Sequence, residues 1–366
     1  MDHKKIRAIG VGVVLALWLG LTVFAWLAPA KETSAAERRP LEQMPALNLE
    51  NLLNTEFMKD FESYTLDQFP LRDTFRRVKA LAHYNLLGQK DNNGIYIADG
   101  YAAKLEYPLN ENSLNNALEK FRELYEKYLS DSKIFVSVVP DKGYFLAEAN
   151  GYPAMDYRAL MDKIAEEMSW AEFVDISGDL TLESYYKTDT HWRQEKILSA
   201  AQRLCEALGT GAFRQDELTL ETLERPFYGV YYGQAALPMD AEQMNVMHHE
   251  ILENCTVYNH ENGKTTGIYD WEKLTSQDLY DVFLSGAAAL LTIENPAGQP
   301  GKELIVFRDS YGSSLIPLLV KDYGKVTVID TRYVAPALLE RFVEFKGQDV
   351  LMLYSTLLLN NSFSLK

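Results

Sequence analysis

Four short runs constrain the fold most: Ile134-Phe135-Val136-Ser137-Val138-Val139, Leu304-Ile305-Val306-Phe307, Val326-Thr327-Val328-Ile329 and Val350-Leu351-Met352-Leu353-Tyr354. Each is apolar at almost every position rather than at every second one, which is the mark of a strand buried on both faces, as in a parallel sheet. Helical periodicity fills the gaps between them. Leu114, Leu118, Phe121, Leu124 and Tyr128 share a helix face, as do Ile197, Ala201, Leu204, Cys205 and Leu208. Further helices are predicted at about 156–168, 312–322 and 336–345, and further strands at Ile95-Tyr96-Ile97 and Phe173-Val174-Asp175-Ile176. Alternating strand and helix units imply an α/β fold, a parallel sheet covered by helices. Residues 209–300 break the alternation. The Tyr228-Gly229-Val230-Tyr231-Tyr232-Gly233 stretch and the turn at Asn262-Gly263 mark this part as an insertion, with a composition suited to a lid or wall over a site.

From Ala8 to Ala28 no residue is charged, and a helix of that length reaches about 30 Å, one hydrocarbon core. Lys4, Lys5 and Arg7 precede it, which favours a single-pass anchor with its N-terminus inside and the large domain extracytoplasmic. The run is longer than a signal-peptide core, so an uncleaved anchor is expected. Residues 29–45, with Pro29, Pro40 and Pro45, read as a linker, and 46–366 as the α/β domain. A net charge of −16 argues against nucleic acid or any polyanion held by bulk electrostatics. Two cysteines, Cys205 and Cys255, do not make a disulfide framework. His248, His249 and His260 lack ligand spacing and read as surface residues, and no phosphate-binding or dinucleotide loop is present, so no cofactor is expected.

Two separated strings carry the chemistry: Thr188-Asp189-Thr190-His191-Trp192 and Phe307-Arg308-Asp309-Ser310-Tyr311-Gly312. Ser310 is placed just past a buried strand, where a tight turn exposes a hydroxyl and a following helix offers N–H groups to an oxyanion. Asp189 and His191 stand two apart, in a loop expected to feed a helix beginning near Trp192; in an extended segment both point the same way, so the carboxylate can orient the imidazole. Together they are the inventory of a Ser-His-Asp acyl-transfer site. Taken alone, one string is explained by Asp309 or Ser310 capping a helix, and the other by an Asp or Thr cap with a partly buried His191.

With these residues in hand, the chain resembles the DHHW family, relatives of the SGNH-hydrolase-like alginate O-acetylation proteins. The resemblance also runs through Tyr64-Thr65-Leu66-Asp67-Gln68-Phe69-Pro70-Leu71-Arg72-Asp73, Asn93-Gly94-Ile95-Tyr96, Val139-Pro140-Asp141-Lys142, Tyr280-Asp281-Val282-Phe283-Leu284-Ser285-Gly286 and Ile329-Asp330-Thr331-Arg332-Tyr333. It implies an SGNH-like, flavodoxin-like sheet and an O-acetyltransferase or esterase with Asp189, His191 and Ser310 catalytic. The implied partners are cell-envelope carbohydrate and a membrane-bound O-acyltransferase supplying the acyl group. Thr190 stands where the family name places its first His, which leaves the Asp189–His191 pair intact. The order is permuted relative to ordinary SGNH hydrolases, so their oxyanion block does not carry over; the backbone of Ser310 and the Ser285-Gly286 segment are expected in its place. Tyr311, Arg332 and Tyr333 complete the expected substrate contacts, with an ion pair to an acidic neighbour as the other role for Arg332. The rival reading is a non-catalytic carbohydrate-binding or envelope-assembly protein on the same fold, its tyrosines stacking on sugars.

Overall fold

The computed structural model describes residues 3–34 and 36–366, which fall into two compact units. The larger comprises residues 93–232 and 239–366. Its sheet is built from β1 (Ile134–Val139), β2 (Glu172–Phe173), β3 (Thr256–Asn259), β4 (Thr265–Thr266), β5 (Leu290–Glu294), β6 (Gln299–Arg308), β7 (Tyr323–Ile329) and β8 (Asp349–Ser355), in the order β4-β3-β5-β7-β6-β8-β1-β2. Every pairing from β7 across to β2 is parallel, while β5, β3 and β4 join antiparallel at the other edge. The insertion therefore extends the sheet with three strands of its own.

Burial on both faces shows in the alternation of side chains. Phe135 and Val139, Leu304 and Val306, and Leu351 and Leu353 enter one core, beside Ala201, Leu204 and Cys205 of the helix Leu198–Leu208. Val136 and Val138, Ile305 and Phe307, and Val350 and Met352 enter the other, beside Leu114, Leu118 and Phe121 of Glu111–Leu124 and Leu160 and Ile164 of Tyr157–Glu167. Three helical expectations need correction. After Ser310 the α-helix lasts only Gly312–Leu315 before tightening to a 3-10 turn at Ile316–Leu319, because Pro317 cannot continue the ladder. The segment at 336–341 is likewise 3-10, and the helix after His191 begins at Leu198 rather than near Trp192. Cys205 and Cys255 are both buried free thiols; burial pushes the Cys205 thiol up to about 11.

The smaller unit comprises residues 1–92 and 233–238. One helix, His3–Leu27, is long and apolar enough to cross a membrane, with mean hydropathy 2.3 and none of its side chains buried. The segment after it is tied down by side chains. The Gln68 side chain accepts from Lys31 N–H and donates to the carbonyls of Lys31 and Glu42, while Asp67 receives a two-pronged contact from Arg39 at 2.5 and 2.7 Å and the Glu42 N–H at 3.0 Å. Arg72 and Arg76 close on Glu37. The hydrogen bonds from Arg39 hold the Asp67 carboxyl down at about 2. Its folded-state value is depressed, so this contribution to stability is whole above the ordinary carboxylate range and is lost as pH falls through about 2. Asp67→Asn leaves Arg39 and the Glu42 N–H under-satisfied and is expected to cost about 1–3 kcal/mol, read by urea unfolding of the detergent-solubilised protein at pH 7; an unchanged midpoint would contradict the clamp.

Candidate functional site

Ser310 follows β6 at the carboxyl end of the parallel strands, where open α/β sheets present their ligand sites. Asp309 sets the turn: its Oδ1 accepts the Tyr311 N–H at 3.0 Å and its Oδ2 the Ser355 N–H at 2.8 Å, pinning the turn to the end of β8. Arg308, wholly buried, donates from Nη1 to Asp309 O and Ser313 Oγ and from Nη2 to Gly286 O. Ser310 itself stays partly exposed.

The other string reaches the same place by a different local route from the one expected. Residues 187–191 are bends rather than a strand, and Asp189 Oδ1 accepts the His191 N–H at 3.0 Å in an Asx turn. That turn folds the imidazole back so that Nδ1 lies 2.6 Å from the same Oδ1, and Nε2 lies 2.8 Å from Ser310 Oγ. Asp189 is fully buried and His191 is 8% exposed, with the hydroxyl at the open end of the line. Two strings separated by more than a hundred residues are stitched together around this contact. Trp192 Nε1 donates to Tyr311 O at 3.0 Å, Tyr311 Oη to Thr190 O at 2.6 Å, and Gln194 Nε2 to Ser314 O at 3.1 Å. Tyr280 lies flat on the imidazole, with ring centres 3.9 Å apart and planes 6° apart, its hydroxyl shared with Ser314 Oγ at 2.8 Å.

The acid is braced from the inserted segment. Val230 N–H donates to Asp189 Oδ2 at 2.8 Å and Gly229 N–H to Thr188 Oγ1 at 2.9 Å, while Glu242 receives the Lys187 and Thr188 N–H groups and the Thr188 hydroxyl. Tyr231 Oη donates to Thr190 Oγ1 at 3.1 Å. This part of the tyrosine-rich stretch is thus a buttress behind the carboxylate. Sequence reading missed Gly229, Glu242 and Tyr280 in these roles. The signal for Gly229 was the density of Tyr and Gly at 228–233, and that for Tyr280 its place in a string that carries the resemblance; Glu242 had none.

The remaining expected residues separate. Ser285 and Gly286 lie in a left-handed turn, φ 59° and 79°; Ser285 Oγ is committed to Asp270 at 2.8 Å, and Gly286 is joined to the Ser310 turn through Arg308. A side chain at Gly286 would meet Asp281 Oδ1 at 2.1 Å, a second reason for glycine there. Tyr311 is buried against Trp192 and His191 with its hydroxyl engaged, so it holds the two strings together. Arg332 pairs with buried Asp330 at 2.6 and 2.9 Å, and Tyr333 is half exposed beneath its guanidinium. The Tyr311, Gly312 and Ser313 N–H groups are all used inside the turn, so the short helix offers them to no oxyanion. Ser310 N–H, for which no acceptor is found among the described residues, is a donor beside the hydroxyl. The histidines expected at the surface, His248, His249 and His260, make protein contacts: His248 to Glu221, His249 to the Ile251 N–H and His260 to Thr292.

Comparison with known proteins bears out the resemblance and the fold. The DHHW protein family model matches residues 178–329, a span that holds both strings. A DHHW family protein from Eubacterium siraeum DSM 15702 superposes with a TM-score of 0.59 at 23% identity, covering 75% of this chain and 95% of its own. Bacillus cereus PatB1 gives 0.58 at 14% identity, covering 72% and 96%. A second structure of PatB1, with a sulfonyl adduct, gives 0.55 at 14% identity over 72% and 95%. No curated protein matches the sequence.

Proposed function

We propose that this chain is a membrane-anchored, extracytoplasmic O-acyltransferase or esterase for cell-envelope carbohydrate, with Ser310 as nucleophile, His191 as its base and Asp189 as the carboxylate that orients the base. The observation that carries the reading is the unbroken line from buried Asp189 through His191 to the partly exposed Ser310 Oγ, at 2.6 and 2.8 Å. With the Nδ1 proton directed at Asp189, the Nε2 lone pair is free to take the Ser310 proton as Oγ attacks an ester carbonyl. The oxyanion forms beside the Ser310 N–H. Collapse of the tetrahedral species expels the alkoxide of the donor, which takes the proton back from Nε2, and the acyl group rests on Ser310. A carbohydrate hydroxyl, or water, then repeats the sequence in reverse. The stacked Tyr280 ring fixes the imidazole plane through both halves, so no reorientation is needed between them. The apolar helix His3–Leu27, preceded by Lys4, Lys5 and Arg7, supports an anchor with the catalytic unit outside.

The test is acyl capture on the full-length protein in detergent. Incubation with p-nitrophenyl acetate, acid quenching and peptide mapping are expected to find the acetyl group on Ser310. Acceleration of its release by an added oligosaccharide would mark a transferase, and release into water alone an esterase. Acetyl found only on other residues, or ester turnover unchanged by Ser310→Ala, would leave the carbohydrate-binding reading in its place.

A further inference from the structure

Lys142 has no part in the chemistry above, yet it is among the largest fully buried side chains of the chain, at 2% exposure. It follows β1 through Pro140 and Asp141, on the same carboxyl edge of the sheet as Ser310. An ammonium taken out of water requires compensation from its surroundings. Here Nζ donates to Tyr186 O at 2.8 Å and, at 3.3 Å, to Lys187 O, which also accepts from the Ala102 N–H. It lies 5.0 Å from the ring centre of Tyr231 and 6.0 Å from that of Tyr101. The carboxylates whose fields favour its charge are Asp189, Glu242 and Asp141. Burial outweighs them and pulls the amine down to about 7.

We propose that Lys142 is a positioning residue for the acid arm of the site: it ties the backbone of Tyr186 and Lys187, which leads directly into Thr188-Asp189, and its ammonium is coupled to the Asp189 carboxylate. The functional meaning rests on the catalytic reading above, whereas the coupling of Lys142 to Asp189 does not. Without the Nζ bonds the 186–187 backbone is free to shift and carries Asp189 away from its place beside His191.

The experiment compares kcat and KM on p-nitrophenyl acetate in the full-length protein. Lys142→Met removes the donor and is expected to lower kcat by about tenfold or more with KM little changed; Lys142→Gln, which keeps a donor for the carbonyls, is expected to restore most of it. Equal losses in the two variants would reduce Lys142 to packing and overturn the proposal. Asp189→Asn, which leaves Lys142 in place, supplies a measurement that does not depend on the folding of a Lys142 variant: followed by NMR across pH, the Lys142 ζ-nitrogen resonance should titrate at lower pH than in the unaltered protein. No movement there would equally overturn it. Activity that survives Ser310→Ala while this resonance moves would instead count against the catalytic reading and leave the coupling standing.

Discussion

Ser310→Ala and His191→Ala are each expected to remove acyl transfer by about four orders of magnitude or more, with no change in the unfolding midpoint, and the double variant to lose little beyond either one. Non-additivity is the informative part. The proposed nucleophile has one candidate base among the described residues: Ser310 Oγ hydrogen-bonds to His191 Nε2. Removing one member therefore idles the other. Asp189→Asn is expected to fall almost as far, by about three to four orders of magnitude, for a reason particular to this site. Oδ1 accepts from both the N–H and Nδ1 of His191, and Oδ2 accepts from the Val230 N–H. An amide nitrogen in either position sets donor against donor, so asparagine disturbs the tautomer of His191 or the brace behind the acid whichever way it is turned. Steady-state and single-turnover rates on one ester substrate measure all four variants. Near-wild-type turnover by Ser310→Ala, or simple multiplication of the two single losses in the double variant, would refute the unit.

The central sheet was legible in the sequence because its strands are buried on both faces, and a run such as Ile305-Val306-Phe307 has few other ways to satisfy that pattern. The strands of the insertion were not. Tyr258 and Thr292 face outward from β3 and β5, so those strands carry half a signal and are recruited by pairing, β5 with β7 and β3 with β5, rather than by their own pattern. At the site, the side chains that the structure brings together could be named because acid, imidazole and hydroxyl lay in turn-like strings. The local conformation could not be named, since the Asx turn at Asp189 and an extended segment both bring i and i+2 together. Least visible were the residues that act through packing. Tyr280 and Glu242 lie far along the chain from His191 and Thr188, and nothing in their immediate sequence separates a ring stacked on an imidazole from one in an ordinary core.

Gly229→Ala is the substitution of a residue without chemistry from which the largest loss is expected. A Cβ at this position would lie 2.2 Å from Asp189 Cα, 2.3 Å from its backbone nitrogen and 2.3 Å from its Cβ. These are main-chain atoms and the root of a fully buried side chain, so a rotamer change cannot relieve the overlap. Relief requires the strands of chain at 188–189 and 229–232 to part, at the cost of the bonds from Gly229 N–H to Thr188 Oγ1, Val230 N–H to Asp189 Oδ2 and Tyr232 N–H to Thr188 O. Overpacking of this kind costs about 1–3 kcal/mol before those bonds are counted, and each one left unmade adds about 1 kcal/mol more. The functional loss should exceed the loss of stability, because Asp189 is the part displaced: a shift of about 1 Å in a positioning group costs about a hundredfold in rate. Leu220→Ala is the control in the same inserted segment; Leu220 is 48% exposed, and its loss should leave both rate and melting temperature close to wild type. The two variants are compared by kcat/KM and thermal unfolding of the full-length protein. If Gly229→Ala keeps its rate within about twofold, the segment behind Asp189 yields easily and does not serve as the buttress described for it.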